Sequence, residues 1–472
     1  MNFDWLLFVD MGIISLSLIV ATFLRAKIYF FQKYLVPNSI TAGLMLLLFY
    51  NLAAPGFAMT TDFLQNLVYH LLNISFVAMS LRTSKEARTN SRNAYVTSVG
   101  ILSQYTIQGI IGLVLTFFFI KTFIPGLFPT FGFFIPLGFA LGPGQSFAIG
   151  SKWEAPVYGF EGAGSVGLTF AAAGFFWAIF GGVFLINLAL KRGWVKRPEV
   201  HARQKEVNNS GLYRKDDLLP VGAHLTTQSE AIETMSFNIS IVLGVYFITF
   251  LFLKLLSFLL AFAGTMGENL AESFWGISFI FAAIFGMAAK KILKFLKVDH
   301  ILENGILTRT AGFSVDFMVA ASIGAISIPV VVYYWGPILI MCILGGFATM
   351  ITLLWIGSRL FNDYKFHRTI LLYGALTGTL PSGLTLLRVV DPEYSTPVAS
   401  DYIPAAGLTF LFAIPYVLVI DFPAYGFRDG NPLYYWLTAI FFAVYAAYIL
   451  VAFVLLTRKK PRGRFKEIWK KE

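Results

Sequence analysis

The chain has 472 residues, of which 57% are hydrophobic, 17% aromatic and only 13% charged. Soluble domains carry roughly 25% charged residues, so a string of soluble domains is excluded. The net charge of +11 comes from short basic clusters between apolar runs, which argues for a membrane protein and against nucleic acid as a partner. Cys342, the single cysteine, lies inside an apolar run, so neither an intramolecular disulfide nor a thiolate metal site is available. The five histidines show no ligand spacing.

In chain order, uncharged runs predict spans near 4–24, 36–54, 63–81, 94–120 and 163–190, and then near 237–262, 274–296, 310–332, 336–357, 402–420 and 433–456. Each is long enough for a ~30 Å hydrocarbon core. The first reads as a span and not a cleaved signal, because no basic n-region precedes it. Basic clusters follow alternate spans: Arg25, Lys27 and Lys33; Arg82, Lys85, Arg88 and Arg92; Lys191, Arg192, Lys196 and Arg197; Lys290, Lys291, Lys294 and Lys297; Arg359, Lys365 and Arg368. Putting them on the cytoplasmic side of the plasma membrane leaves the N-terminus outside and the C-terminus inside.

Two apolar segments disturb this alternation. Residues about 130–150 (FIPLGFALGPGQSFAIG) and about 370–388 (LLYGALTGTLPSGLTLL) must each return to the side they entered from. Re-entrant hairpins satisfy that parity; paired short crossings would also do so. The two segments resemble each other, since Gly138, Gly142, Ser146 and Lys152 recur as Gly374, Gly378, Ser382 and Arg388. The tetrapeptide GLTF then appears at 167–170 and again at 407–410. The expected fold is an all-α polytopic membrane protein with two inverted-topology repeats of five transmembrane helices, each holding one re-entrant hairpin, plus one extra C-terminal helix. The repeats cover 1–190 and 236–421. A polar cytoplasmic linker occupies 191–235, and 422–472 holds the extra span and a basic tail. Inverted halves with Gly/Pro-interrupted segments at matching places are the pattern of a secondary transporter.

The interrupted segments contain the candidate site. Breaks at Gly142, Pro143 and Gly144, and at Gly378, Thr379, Pro381, Ser382 and Gly383, free backbone N–H groups that suit a carboxylate and carbonyls that suit Na⁺. Gln145 and Ser146 add neutral donors and acceptors. If the repeats meet there, Gly142–Ser146 faces Gly378–Gly383 near mid-membrane. The alternative is that the glycines serve only close helix packing. Arg388 can hold a carboxylate bidentately; it and Lys152 could instead snorkel to the interface. Asp316 is the one carboxylate inside the span 310–332 and, with Thr169 and Thr409 of the GLTF repeats, is a candidate for cation binding. Pairing of Asp316 with a neighbouring helix, and bonds from the threonines to their own backbone, are the structural alternatives. No HExxH, GxSxG or CxxC motif occurs, so no catalytic residues are assigned and no enzyme is expected.

These features resemble the sodium/glutamate symporter family. The likeness rests on the five-plus-five halves, the central linker, the segments LGPGQSFAIG and TGTLPSG, and the GSVGLTFAAAGFF span, and it runs from about Phe3 to Ile420. It implies sodium-coupled uptake of L-glutamate or a closely related small anionic amino acid or dicarboxylate, with sodium as coupling ion, no other metal and no cofactor, in a homodimer bathed by membrane lipid. This chain departs from the family's more usual GGxG hairpin at Pro143 and Gln145. A proton-coupled carboxylate carrier is the alternative, and a channel is disfavoured by the inverted repeat.

Overall fold

The computed structural model describes residues 5–34, 36–57, 59–82, 91–195, 212, 221–228, 230–262, 264–391 and 396–458. Most of the expected linker at 191–235, and the basic tail beyond Arg458, lie outside them. So do Lys85, Arg88, Lys196 and Arg197 of the basic clusters.

Among the described residues the chain is all-helical, and ten helices are long and apolar enough to cross a membrane. It is a membrane-embedded helical protein. The first half runs α1 (Leu6–Lys27), α2 (Tyr29–Lys33), α3 (Asn38–Leu48), α4 (Asp62–Leu81), α5 (Ser91–Thr122), α6 (Pro143–Trp153), α7 (Ala163–Phe176) and α8 (Gly182–Arg192). The second runs α9 (Thr234–Ala261), α10 (Gly264–Gly276), α11 (Ser278–Phe295), α12 (Asn304–Gly324), α13 (Ile328–Tyr333), α14 (Trp335–Leu360), α15 (Lys365–Thr377), α16 (Leu380–Val390), α17 (Val398–Val419), α18 (Phe422–Asp429) and α19 (Leu433–Thr457).

Polarity is inverted relative to a soluble protein. Asn73, Gln104, Gln108, Asn238 and Thr349 are buried, while Phe247, Leu251 and Phe258 of α9 and Val444, Val451 and Leu455 of α19 are exposed. Lipid tails solvate such apolar faces, so the interior is left to shape and polar pairing. One large core joins α1, α3, α5, α7, α14, α15 and α17, and a smaller cluster of Val77, Leu81, Val242, Val245 and Ala282 fastens α9 and α11 onto α4.

The structure differs from the sequence reading in two spans. The run at 274–296 forms α10's end and α11, but α11 carries Lys290, Lys291 and Lys294 and is not among the ten spans. Its uncharged part is about 12 residues, or ~18 Å, short of a ~30 Å core. The run at 310–332 is not one helix either. It leaves the helix after Gly324 and restarts at Ile328 with Pro329 in the first turn. Asn51 takes over the freed backbone there, donating to the Ile326 carbonyl (2.9 Å) and accepting from the Ile328 N–H (2.9 Å). The Ser165 hydroxyl accepts the Ser327 N–H at 2.7 Å.

Both ends of α17 are anchored by buried charge. Asp401 accepts from Arg368 of α15 (2.8 Å) and from Asn93 of α5 (3.1 Å), and Arg368 also reaches the more exposed Asp363 at 3.0 Å. Asp421, just past the other end, accepts from Lys152 (2.5 Å) and from the Trp153 indole (2.8 Å). Asp401 and Asp421 are 20 residues apart along this rod, so the two anchors stand about 30 Å apart.

Removing one partner of a buried pair strands the other charge, which costs about 3–5 kcal/mol, whereas a half-exposed partner contributes about 0–1 kcal/mol. Arg368→Ala should therefore lower the thermal unfolding midpoint in detergent strongly. Asp363→Ala should barely move it. Equal shifts would mean that Asp401 is not held by Arg368.

Candidate functional site: the junction of two broken helices

Both interrupted segments are breaks between helices. In the first, a π-helical turn, Pro136–Leu141, ends at Gly142, and α6 starts at Pro143. Gly142 has φ +93° and ψ 177°, a conformation open essentially only to glycine. In the second, α15 ends at Thr377, Gly378 and Thr379 are non-helical, and α16 starts at Leu380. Both restarting helices have 11 residues and a proline in their first turn, where its missing N–H is harmless.

The breaks meet. A methyl group placed on Gly142 would lie 3.5 Å from Thr379 Cγ2, 3.7 Å from Gln145 Oε1 and 4.0 Å from the Gly378 carbonyl oxygen. Thus Gly142, Gln145, Gly378 and Thr379 are brought together. No side chain caps the start of α6 or of α16, so two helix N-termini carry uncapped first-turn amides beside the junction. Gln145 and Ser146 are buried, and the Ser146 hydroxyl has no hydrogen-bond partner. Ser382 is buried in the first turn of α16, close enough for its hydroxyl to sit 3.0 Å from a methyl placed on Gly378.

The neighbouring polar groups account for what the breaks release. Gln108 of α5 donates to the Leu376 carbonyl (3.1 Å) and to the Thr349 hydroxyl (2.9 Å). Tyr373 donates to the Trp177 carbonyl at 2.9 Å, in the π-helical turn Trp177–Gly181 that joins α7 to α8. None of these residues was named by the sequence reading. A glutamine in mid-span and a tyrosine four residues before the break were the available signals.

The glycines of the two segments divide by role. Methyls on Gly138, Gly144 and Gly383 would lie 2.7 Å from the Ala171 nitrogen, 2.7 Å from Leu72 and 2.4 Å from the Leu371 carbonyl, so these three serve close packing. Gly142 and Gly378 serve the breaks. Pro143 is buried at the start of α6, and Pro381 is exposed at the start of α16.

The remaining candidates lie elsewhere. The hydroxyl of Thr169 donates to the Ser165 carbonyl (2.8 Å) and that of Thr409 to the Ala405 carbonyl (2.8 Å) and Ser98 (3.0 Å). Asp316 is exposed on α12 with Ser39 of α3 in hydrogen-bonding reach. Lys152 and Arg388, matched in sequence, differ in setting: Lys152 is buried against Asp421 instead of snorkelling, and Arg388 is exposed at the far end of α16 instead of buried. Around Lys152 stand Tyr425, whose ring centroid is 5.5 Å from the ammonium, and Tyr158. Burial pushes the Tyr158 hydroxyl well up, so it stays protonated. Among the described residues no group of histidines, cysteines or carboxylates is arranged to hold a metal.

Gly142→Ala should destabilise by about 1–3 kcal/mol through backbone strain alone, since the nearest atoms leave room for the methyl. Differential scanning fluorimetry in detergent reads this directly. A neutral result would mean that the break relaxes without a left-handed residue.

No family model, curated protein or solved structure matches this chain.

Proposed function

We propose that this protein is a secondary active transporter that carries a small carboxylate anion, glutamate-like in size and charge, by sodium-coupled symport. The observation that carries the reading is the meeting of Gly142 with Gly378 and Thr379 inside a membrane-embedded bundle. Two helix N-termini with uncapped amides present partial positive charge to one locus, which suits an anion. Neutral hydroxyls and carbonyls nearby suit Na⁺ better than a proton relay, which needs buried acids or histidines.

On this reading the two broken segments are re-entrant hairpins of an inverted repeat. Support comes from their equal 11-residue return helices and from their anchors at opposite ends of α17. A return helix of 11 residues reaches about 16 Å, roughly half of the ~30 Å between those anchors. Tips that touch at mid-membrane follow from that arithmetic. The same reading counts the 18-residue α11 as an eleventh crossing whose end lysines snorkel to the interface. It then keeps the N-terminus outside, the C-terminus cytoplasmic, the division into repeats at 1–190 and 236–421, and a homodimer as the family resemblance implies.

The test is uptake of labelled glutamate, aspartate and dicarboxylates into proteoliposomes, with and without an inward sodium gradient. Sodium-driven accumulation of at least one of them is expected, with Thr379→Val and Ser382→Ala lowering it. Uptake that follows a pH gradient and ignores sodium would make Asp316 the proton carrier instead. No uptake of any anion under either gradient would end the reading.

A further inference from the structure

Two features of the bundle concern how the junction is reached. The first is an asymmetry between the return helices. Of α6, ten of the 11 residues from Pro143 to Trp153 are buried, Ser151 excepted. In α16, Pro381 and Arg388 are exposed and Thr385 is half-buried between them. Positions 381, 385 and 388 follow the i, i+4, i+7 spacing of one helix face. That face therefore runs from the junction to the surface, and it ends on a cation.

The second feature is a cleft on the same helix. It is lined by Tyr34, Pro37, Ala178, Ile179, Ser382, Thr385 and Leu386, and its volume is about 10 Å³, room for about one water. Ala178 stands beside Gly378, since a methyl on that glycine would meet the Ala178 side chain at 3.2 Å. The cleft thus lies next to the break and has Tyr34, which follows Arg25, Lys27 and Lys33 in the chain, in its wall. Tyr34 is held there by ring contacts with Phe30 (5.0 Å) and Phe180 (5.5 Å). The other end of the bundle offers the opposite picture. There the Lys152–Asp421 pair, 4% and 5% exposed, is covered by Trp153, Tyr158 and Tyr425.

We propose that the path to the Gly142–Gly378 junction runs along the Pro381–Thr385–Arg388 face of α16, past Ser382 and Tyr34 in the cleft beside it, and that the Lys152–Asp421 pair seals the opposite end. Thr385 and Tyr34 are then contacts for the travelling carboxylate, and Arg388 attracts it at the mouth. Lys152 and Asp421 are positioning residues that act through α6. The proposal rests on the transport reading for its cargo. Its geometry is tested without any cargo.

The experiment uses single cysteines in the full-length Cys342→Ser protein, in membrane vesicles of both orientations, with membrane-impermeant methanethiosulfonates of negative or positive charge. Ser382→Cys and Thr385→Cys should react only from the side that bears Arg388. They should react about tenfold faster with the anionic reagent, as expected of electrostatic attraction into a narrow cleft. Arg388→Gln should remove that preference. Ser146→Cys should be inert from both sides, and adding Asp421→Asn should raise its reactivity from the side opposite Arg388 by about tenfold, one decade of opening equilibrium. Exchanging the charges, with Lys152→Asp and Asp421→Lys together, should make it inert again, which a general loss of folding would not do. Reaction of Ser382→Cys from the opposite side, no charge preference, or an inert Ser146→Cys in the Asp421→Asn background would overturn the proposal. If the labelling pattern holds and no anion is taken up, the path stands and the transport reading fails.

Discussion

Inside hydrocarbon, a backbone group that leaves its helix must find a partner, because a bare N–H or carbonyl there costs several kcal/mol. Much of this structure follows from that constraint. The chain interrupts its helices at Gly142, Gly378 and Ala325–Ser327, and the last two interruptions take partners from other helices. Gln108 takes a carbonyl two residues before Gly378, and Asn51 with Ser165 takes the groups freed beyond Gly324. Glycines on adjoining helices then permit the close approach that those bonds require. A methyl on Gly174 would lie 2.2 Å from the Thr377 carbonyl oxygen, so no larger residue fits between α7 and the second break.

Covering the breaks with protein also concentrates their chemistry. Uncapped amides at the starts of α6 and α16 are left beside one junction. What sets these two starts apart is that they meet, since α1, α3, α4, α7 and α14 also begin without a side-chain cap.

Buried ion pairs at the two ends of α17 define where the breaks sit. Such pairs are weak evidence for stability, since desolvation offsets most of their attraction, but they specify partners sharply. Arg368 and Lys152 each belong to an arm of a broken helix, and each finds an aspartate at a different end of the same rod. The rod itself contains Pro404 and Pro415, each of which removes a backbone donor. Between its ends the rod is tied to α5 by the Thr409 hydroxyl on Ser98 and the Tyr416 hydroxyl on the Tyr105 carbonyl.

Composition and periodicity alone determined that the chain is helical and membrane-embedded, because length and hydropathy of a span are local properties. They also located both breaks, since Gly142-Pro143-Gly144 and Gly378 to Gly383 contain residues that end helices by themselves. Local reading went wrong where charge or a proline sat inside an apolar run. The lysines of α11 and the Pro329 turn were absorbed into spans that the structure does not form as drawn. Only the tertiary structure decided that Gly142 lies against Thr379, that Lys152 is buried on Asp421 while its sequence counterpart Arg388 is exposed, and that Gln108, Asn51 and Tyr373 serve the breaks. Those facts depend on partners more than 190 residues away in the chain, and a sequence pattern specifies which face a residue occupies without specifying what that face meets.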